Sequence, residues 1–126
     1  TDEIVSFMDI ALSRHRSGSC YLKHGRVAQD RATLGVTARI VIDAKGACVE
    51  ARVVVTGVLP KPVRVGEIEA ALLGRPVDRF DLPSLSELAA DRVATQSDEL
   101  ASSTYRTQLI RVMTPKAIAN AVQRAG

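Results

Sequence analysis

Apolar and polar positions alternate most cleanly in "RATLGVTARIVID", residues 31–43. Ala32, Leu34, Val36, Ala38, Ile40 and Ile42 fall on one side; Thr33, Gly35, Thr37, Arg39 and Asp43 fall on the other. Period two over that length predicts a long strand with one buried face. "DAKG", Asp43 to Gly46, follows it, and its glycine suits the left-handed position that closes a short hairpin. The return strand repeats the pattern. Ala47, Val49, Ala51, Val53 and Val55 are expected to face inward, and Cys48, Glu50, Arg52 and Thr56 outward.

Upstream, "EIVSFMDIAL" and "SCYLKHGRV" read as two further strands separated by the polar "SRHRSGS". Downstream the period lengthens. "GEIEAALLG" is a short helix ended by Gly74, with Pro76 blocking its continuation. Asp81 is placed to cap "LPSLSELAADRVA", whose stripe is Leu85, Leu88, Ala89 and Val93, with Pro83 in the first turn. Ser102 or Ser103 opens "TYRTQLIRVM". Pro115 is expected to interrupt that helix, with Thr114 capping a last piece, "PKAIANAVQRA". Strands first and helices after predict an α+β fold: an antiparallel sheet of three or four strands, followed by three helical segments packed on one face.

The chain has 126 residues, room for a single domain over 1–126 with its own core. It opens on Thr1 rather than Met, which points to a processed chain or a piece of a longer one. No stretch approaches the ~20 apolar residues of a membrane span, and the N-terminus lacks a signal pattern. Cys20 and Cys48 stand 28 residues apart with no C-x-x-C pair, so the spacing favours two reduced thiols in a cytoplasmic protein.

A net charge of +3 and a pI of 9.2 raise the question of an acidic partner. The basic residues are dispersed, though, and two Tyr, two Phe and no Trp leave few rings on which bases could stack. Nucleic acid is not expected. His15 and His24 lack partners at metal-ligand spacing, and no nucleophile or general base has a supporting residue. No catalytic residue, metal site or complete active site is therefore expected, and whether the chain is an enzyme stays open.

Four short stretches change the picture. They are "YLKHGRVAQDRA" (Tyr21, Lys23, Arg26, Asp30, Ala32), "GVLPKPVR" (Gly57, Pro60, Pro62, Arg64), "EAALLGRP" (Glu69, Leu72, Gly74, Pro76) and "ASSTYRTQL" (Ser103, Tyr105, Arg106, Leu109). In this order they resemble the C-terminal domain of the FAD-binding (medium) subunit of molybdenum hydroxylases, the carbon monoxide dehydrogenase and xanthine dehydrogenase flavoprotein family. The resemblance covers nearly the whole chain.

That resemblance implies an electron-transfer role. In the family, electrons pass from a molybdopterin large subunit through an iron–sulfur small subunit to FAD, and then to NAD or another acceptor. The FAD phosphates are held by Gly-rich loops in an N-terminal FAD-binding domain. This chain has no such loop, so it is expected to bind FAD weakly or not at all alone and to share the cofactor with that domain. Tyr21 and Lys23 match the family's Y-x-K positions near the isoalloxazine ring. Two apart on a strand, they share a face. Asp30 matches the aspartate that ends the motif and pairs with Arg26 or a base in the other domain. The plain alternatives are a half-buried strand tyrosine and a solvated lysine.

Two departures stand out. Arg31 occupies a position usually aromatic or apolar in the family, and Pro115 replaces helix-forming residues. The competing reading is a stand-alone interaction module of the same fold without flavin.

Overall fold

The structure, a computed structural model, describes residues 4–10, 15–27, 29 and 31–126. Its elements run β1 (Arg16–His24), β2 (Leu34–Ile42), β3 (Cys48–Thr56), β4 (Val63–Arg64), α1 (Gly66–Leu72), α2 (Leu82–Arg92) and α3 (Ser103–Ala125), with a single 3-10 turn at Val77–Arg79. The sheet is antiparallel in the order β1-β2-β3-β4. The α+β architecture of a four-stranded sheet followed by three helices is the one the periodicity predicts.

The inward row of β2 is fully buried: Leu34, Val36, Ala38, Ile40 and Ile42 join Ala51, Val53 and Val55 of β3 in the core. Helix α3 packs across β1 and β2, α1 against β3, and α2 on α3. Gly18 permits this approach, because a Cβ there would lie 2.0 Å from the Ala121 carbonyl oxygen. The hairpin turn closes at Gly46, φ 81°. One Asp43 carboxylate oxygen accepts the N–H groups of Lys45 and Ala47, at 2.8 and 2.9 Å.

Four expectations need correction. First, the return strand carries a bulge. Val41 pairs with Glu50 but Ile42 pairs with Cys48, so Val49 is the extra residue and the alternation reverses there. Cys48 is buried and Val49 is 45% exposed, the opposite of the uninterrupted pattern.

Second, "EIVSFMDIAL" is not a strand where described. Residues 4–10 are irregular and exposed; they do not join the sheet, whose order starts at β1, and an unpaired run does not persist as a strand. Residues 11–14 lie outside the described residues. Third, the polar "SRHRSGS" is not wholly a connector, since Arg16–Ser19 pair with Arg39–Ile42. Backbone pairing draws them in, and their polar side chains do not oppose it.

Fourth, α3 runs through Pro115 unbroken. Proline removes the N–H that would serve the carbonyl of Arg111. Ser86 of α2 supplies the missing donor, its hydroxyl lying 2.7 Å from that oxygen. Thr114 is buried inside the helix rather than capping a new one.

Candidate functional site

Tyr21 and Lys23 are both exposed, on the face of β1 that α3 leaves uncovered. The register sets their neighbours. Tyr21 stands opposite Thr37, which pairs with Val54 and then Arg64; Lys23 stands opposite Gly35, which pairs with Thr56. Small side chains thus form a shallow shelf beside the pair. The Tyr21 ring leans diagonally onto it, since a Cβ at Gly35 would lie 2.9 Å from both Tyr21 Cε2 and Tyr21 Oη. The ring stays 55% exposed.

Asp30, the third expected site residue, lies outside the described residues. His24 follows Lys23 and turns to the other face. Its Nε2 is 3.0 Å from the Tyr105 hydroxyl, the two rings meeting edge-on with centroids 5.9 Å apart. Arg31 has a neighbour of opposite charge: its guanidinium meets the Glu99 carboxylate at 3.0 Å on the open surface.

The other motif residues hold the frame. The prolines suggest an extended link after β3, but residues 57–61 are a run of bends that starts at Gly57, φ 80°. The chain returns as the two-residue β4 (Val63–Arg64), which the sequence pattern does not reveal. Arg64 Nε lies 2.8 and 2.9 Å from the two carboxylate oxygens of Glu69. Glu69 in α1 also accepts the N–H of Val53 at 3.0 Å. Its carboxylate therefore stands in for a strand partner where β4 ends. Burial works to raise the Glu69 pKa, but the Arg64 hydrogen bonds and the Val53 N–H outweigh it and leave it below the ordinary value.

Arg106, 2% exposed, is a second anchor. It donates to the carbonyls of Thr33, Gln96 and Ala101 and to Asp98 Oδ1 at 2.7 Å. The Arg106 bond to Asp98, followed by the N–H of Leu100, lowers the Asp98 pKa. Arg106 thus ties the loop before α3 to the start of β2. Between that loop and "GVLP" lies a cleft of about 320 Å³, lined by Arg31, Val58, Leu59, Pro60, Asp98 and Arg106 among others. Its lining includes Gly57, the residue after Thr56, and so lies near the end of the sheet that carries the Lys23–Gly35–Thr56 row.

The shelf carries an exposed aromatic ring and, two residues on along the same face, a lysine, chemistry compatible with the planar ring system of a flavin. It does not fit the phosphates. Among the described residues only Gly46, Gly57 and Gly74 have positive φ, and they sit singly in separate turns rather than in a loop of converging N–H donors. The sequence pattern puts Tyr21 and Lys23 on one strand face, as observed, but does not reveal Gly35 under the Tyr21 ring, because the diagonal contact needs the β1–β2 register.

Comparison with known proteins gives a consistent result. The family model for the CO dehydrogenase flavoprotein C-terminal domain matches residues 19–121. The xanthine dehydrogenase FAD-binding subunit of Escherichia coli O157:H7 is 33% identical over 99% of this chain and 43% of its own length. The 6-hydroxypseudooxynicotine dehydrogenase complex subunit alpha of Paenarthrobacter nicotinovorans is 26% identical over 98% and 42%. Carbon monoxide dehydrogenase from Hydrogenophaga pseudoflava superposes with a TM-score of 0.81, at 25% identity, over 92% of this chain and 40% of that one. This chain spans less than half the length of the curated relatives it matches. Among the described residues, no helix is long and apolar enough to cross a membrane.

Proposed function

Because the chain belongs to the CO dehydrogenase flavoprotein C-terminal domain family, we propose that the uncovered sheet face around Tyr21 and Lys23 forms one wall of an FAD site. The other wall and the phosphate cradle belong to an N-terminal FAD-binding domain of the same subunit. FAD, when bound, supplies the redox chemistry between the iron–sulfur small subunit, fed by the molybdopterin large subunit, and NAD or another acceptor. The observation that carries this reading is the Tyr21 ring lying across Gly35, exposed on its outer side and beside Lys23.

The roles follow from the side chains. Tyr21 covers a flat ring and excludes water from it. Lys23 places a positive charge at the polar edge of the same ring, where it favours the electron-rich reduced form. Asp30 ends the motif and pairs with Arg26 or with a base in the other domain. Arg64, Glu69 and Arg106 fix the sheet edge and the adjacent loop, keeping the wall rigid.

The test is a pair of FAD titrations followed by flavin fluorescence, one with this chain alone and one with the chain and the FAD-binding domain together. Saturable binding only in the mixture, weakened by Lys23→Ala, is expected. No binding in either case would return the chain to the reading of an interaction module without flavin.

A further inference from the structure

We propose that Gly35 is a positioning residue for Tyr21, an inference that rests on reading the outer face as a flavin wall. A glycine in the middle of a sheet costs stability and demands a local reason. Backbone conformation does not give it one, because Gly35 is not among the glycines of positive φ. Space does. A Cβ at position 35 would meet Tyr21 Cε2 and Oη at 2.9 Å and Thr56 Oγ1 at 2.5 Å. Non-bonded carbon atoms rest about 3.5–4 Å apart, so even a methyl group there evicts the ring or the hydroxyl.

The notch decides where Tyr21 points. Its direct partner across the strands is Thr37, yet the ring reaches diagonally to the position opposite Lys23. Diagonal contacts of this kind lie within reach of aromatic side chains, and an aromatic ring covering a strand glycine also protects the bare backbone. The result is a tyrosine whose ring is placed over Gly35, the position opposite Lys23, before any ligand arrives. Preorganisation of this sort removes the ordering cost from binding.

The test uses the whole subunit carrying Thr56→Ala, which removes the second clash; it is freed of FAD for the titrations and reloaded for the fluorescence. In that background Tyr21→Ala, Gly35→Ala and the double variant are compared by FAD titration and by flavin fluorescence of the bound state, with urea unfolding alongside. Tyr21→Ala is expected to weaken FAD binding roughly tenfold, in line with the loss of one stacked ring, and to raise flavin emission by removing a quenching neighbour. Gly35→Ala should reproduce most of both effects, and adding it to Tyr21→Ala should change neither further. A Gly35→Ala protein that binds and quenches like its parent, beside a weakened Tyr21→Ala protein, overturns the positioning role. An equal loss from Gly35→Ala with and without the Tyr21 ring overturns it too, because the effect then belongs to the strand. If Gly35→Ala does not fold, the double variant should, since its clash is gone; failure of both also overturns the role. If Tyr21→Ala leaves FAD binding and emission unchanged, the flavin-wall reading itself falls.

Discussion

The hydroxyl of Ser86 in α2 donates to the carbonyl of Arg111 in α3 at 2.7 Å, the acceptor that Pro115 leaves without its helical N–H. An unaccommodated proline inside a helix costs ~3 kcal/mol or more, and this contact recovers part of it. Ser86→Ala should therefore destabilise the chain by about 1 kcal/mol and by much less once Pro115→Ala restores the N–H. A double-mutant cycle by urea unfolding measures the coupling. Equal losses in both backgrounds would mean that the serine does not compensate for the proline.

Arg106 should be among the least replaceable polar residues. Arg106→Met leaves three backbone carbonyls and Asp98 without their donor, at a side chain that is almost wholly buried beside the cleft. The expected loss is on the order of 3 kcal/mol. Amide hydrogen exchange should rise first in residues 94–102 and at Thr33, the segments it joins. Protection unchanged in that loop would contradict the anchoring role.

Glu69 gives a pH signature. Its folded pKa is lowered, so its contribution is present above the unfolded value of about 4.3 and is lost as pH falls through the folded value. Asp98, Asp43 and Asp81 are lowered as well and act with the same sign. Stability should hold at neutral pH and decline steadily below about pH 4. Glu69→Gln should flatten that decline and lower stability at pH 7. A variant with the same acid slope as the parent would show that the Arg64–Glu69 contact does not persist in solution.

Both cysteines are buried, and burial raises the Cys48 thiol pKa. Cys48 faces the core only because the bulge at Val49 turns it there. A thiol reagent at pH 8 should label neither residue quickly in the folded chain, and both after denaturation. Rapid labelling of native Cys48 would favour the uninterrupted alternation.

The sequence pattern reaches the hairpin and helices because burial imposes local periods, two along Leu34–Ile42 and 3.6 along Leu85–Val93. It fails where distant residues decide. The bulge leaves Ala47, Val49 and Ala51 looking like one row. Strand β4 is two residues beside a proline. The continuity of α3 depends on Ser86, which lies on another helix. For the site, parity along β1 puts Tyr21 and Lys23 together, and the family resemblance supplies their chemistry. That their face is the uncovered one follows from where α3 packs, which Gly18 allows by bringing the helix onto the opposite side.

The central claim is that this face meets the flavin side of its partner. The most direct test is amide chemical-shift mapping of the isotope-labelled chain on addition of the FAD-loaded N-terminal domain. Shifts are expected to concentrate at Tyr21, Lys23, Gly35, Thr37, Val54 and Thr56 and to diminish when the domain carries no FAD. Shifts confined to α2 and α3, with the Tyr21–Lys23 face unchanged, would contradict that claim.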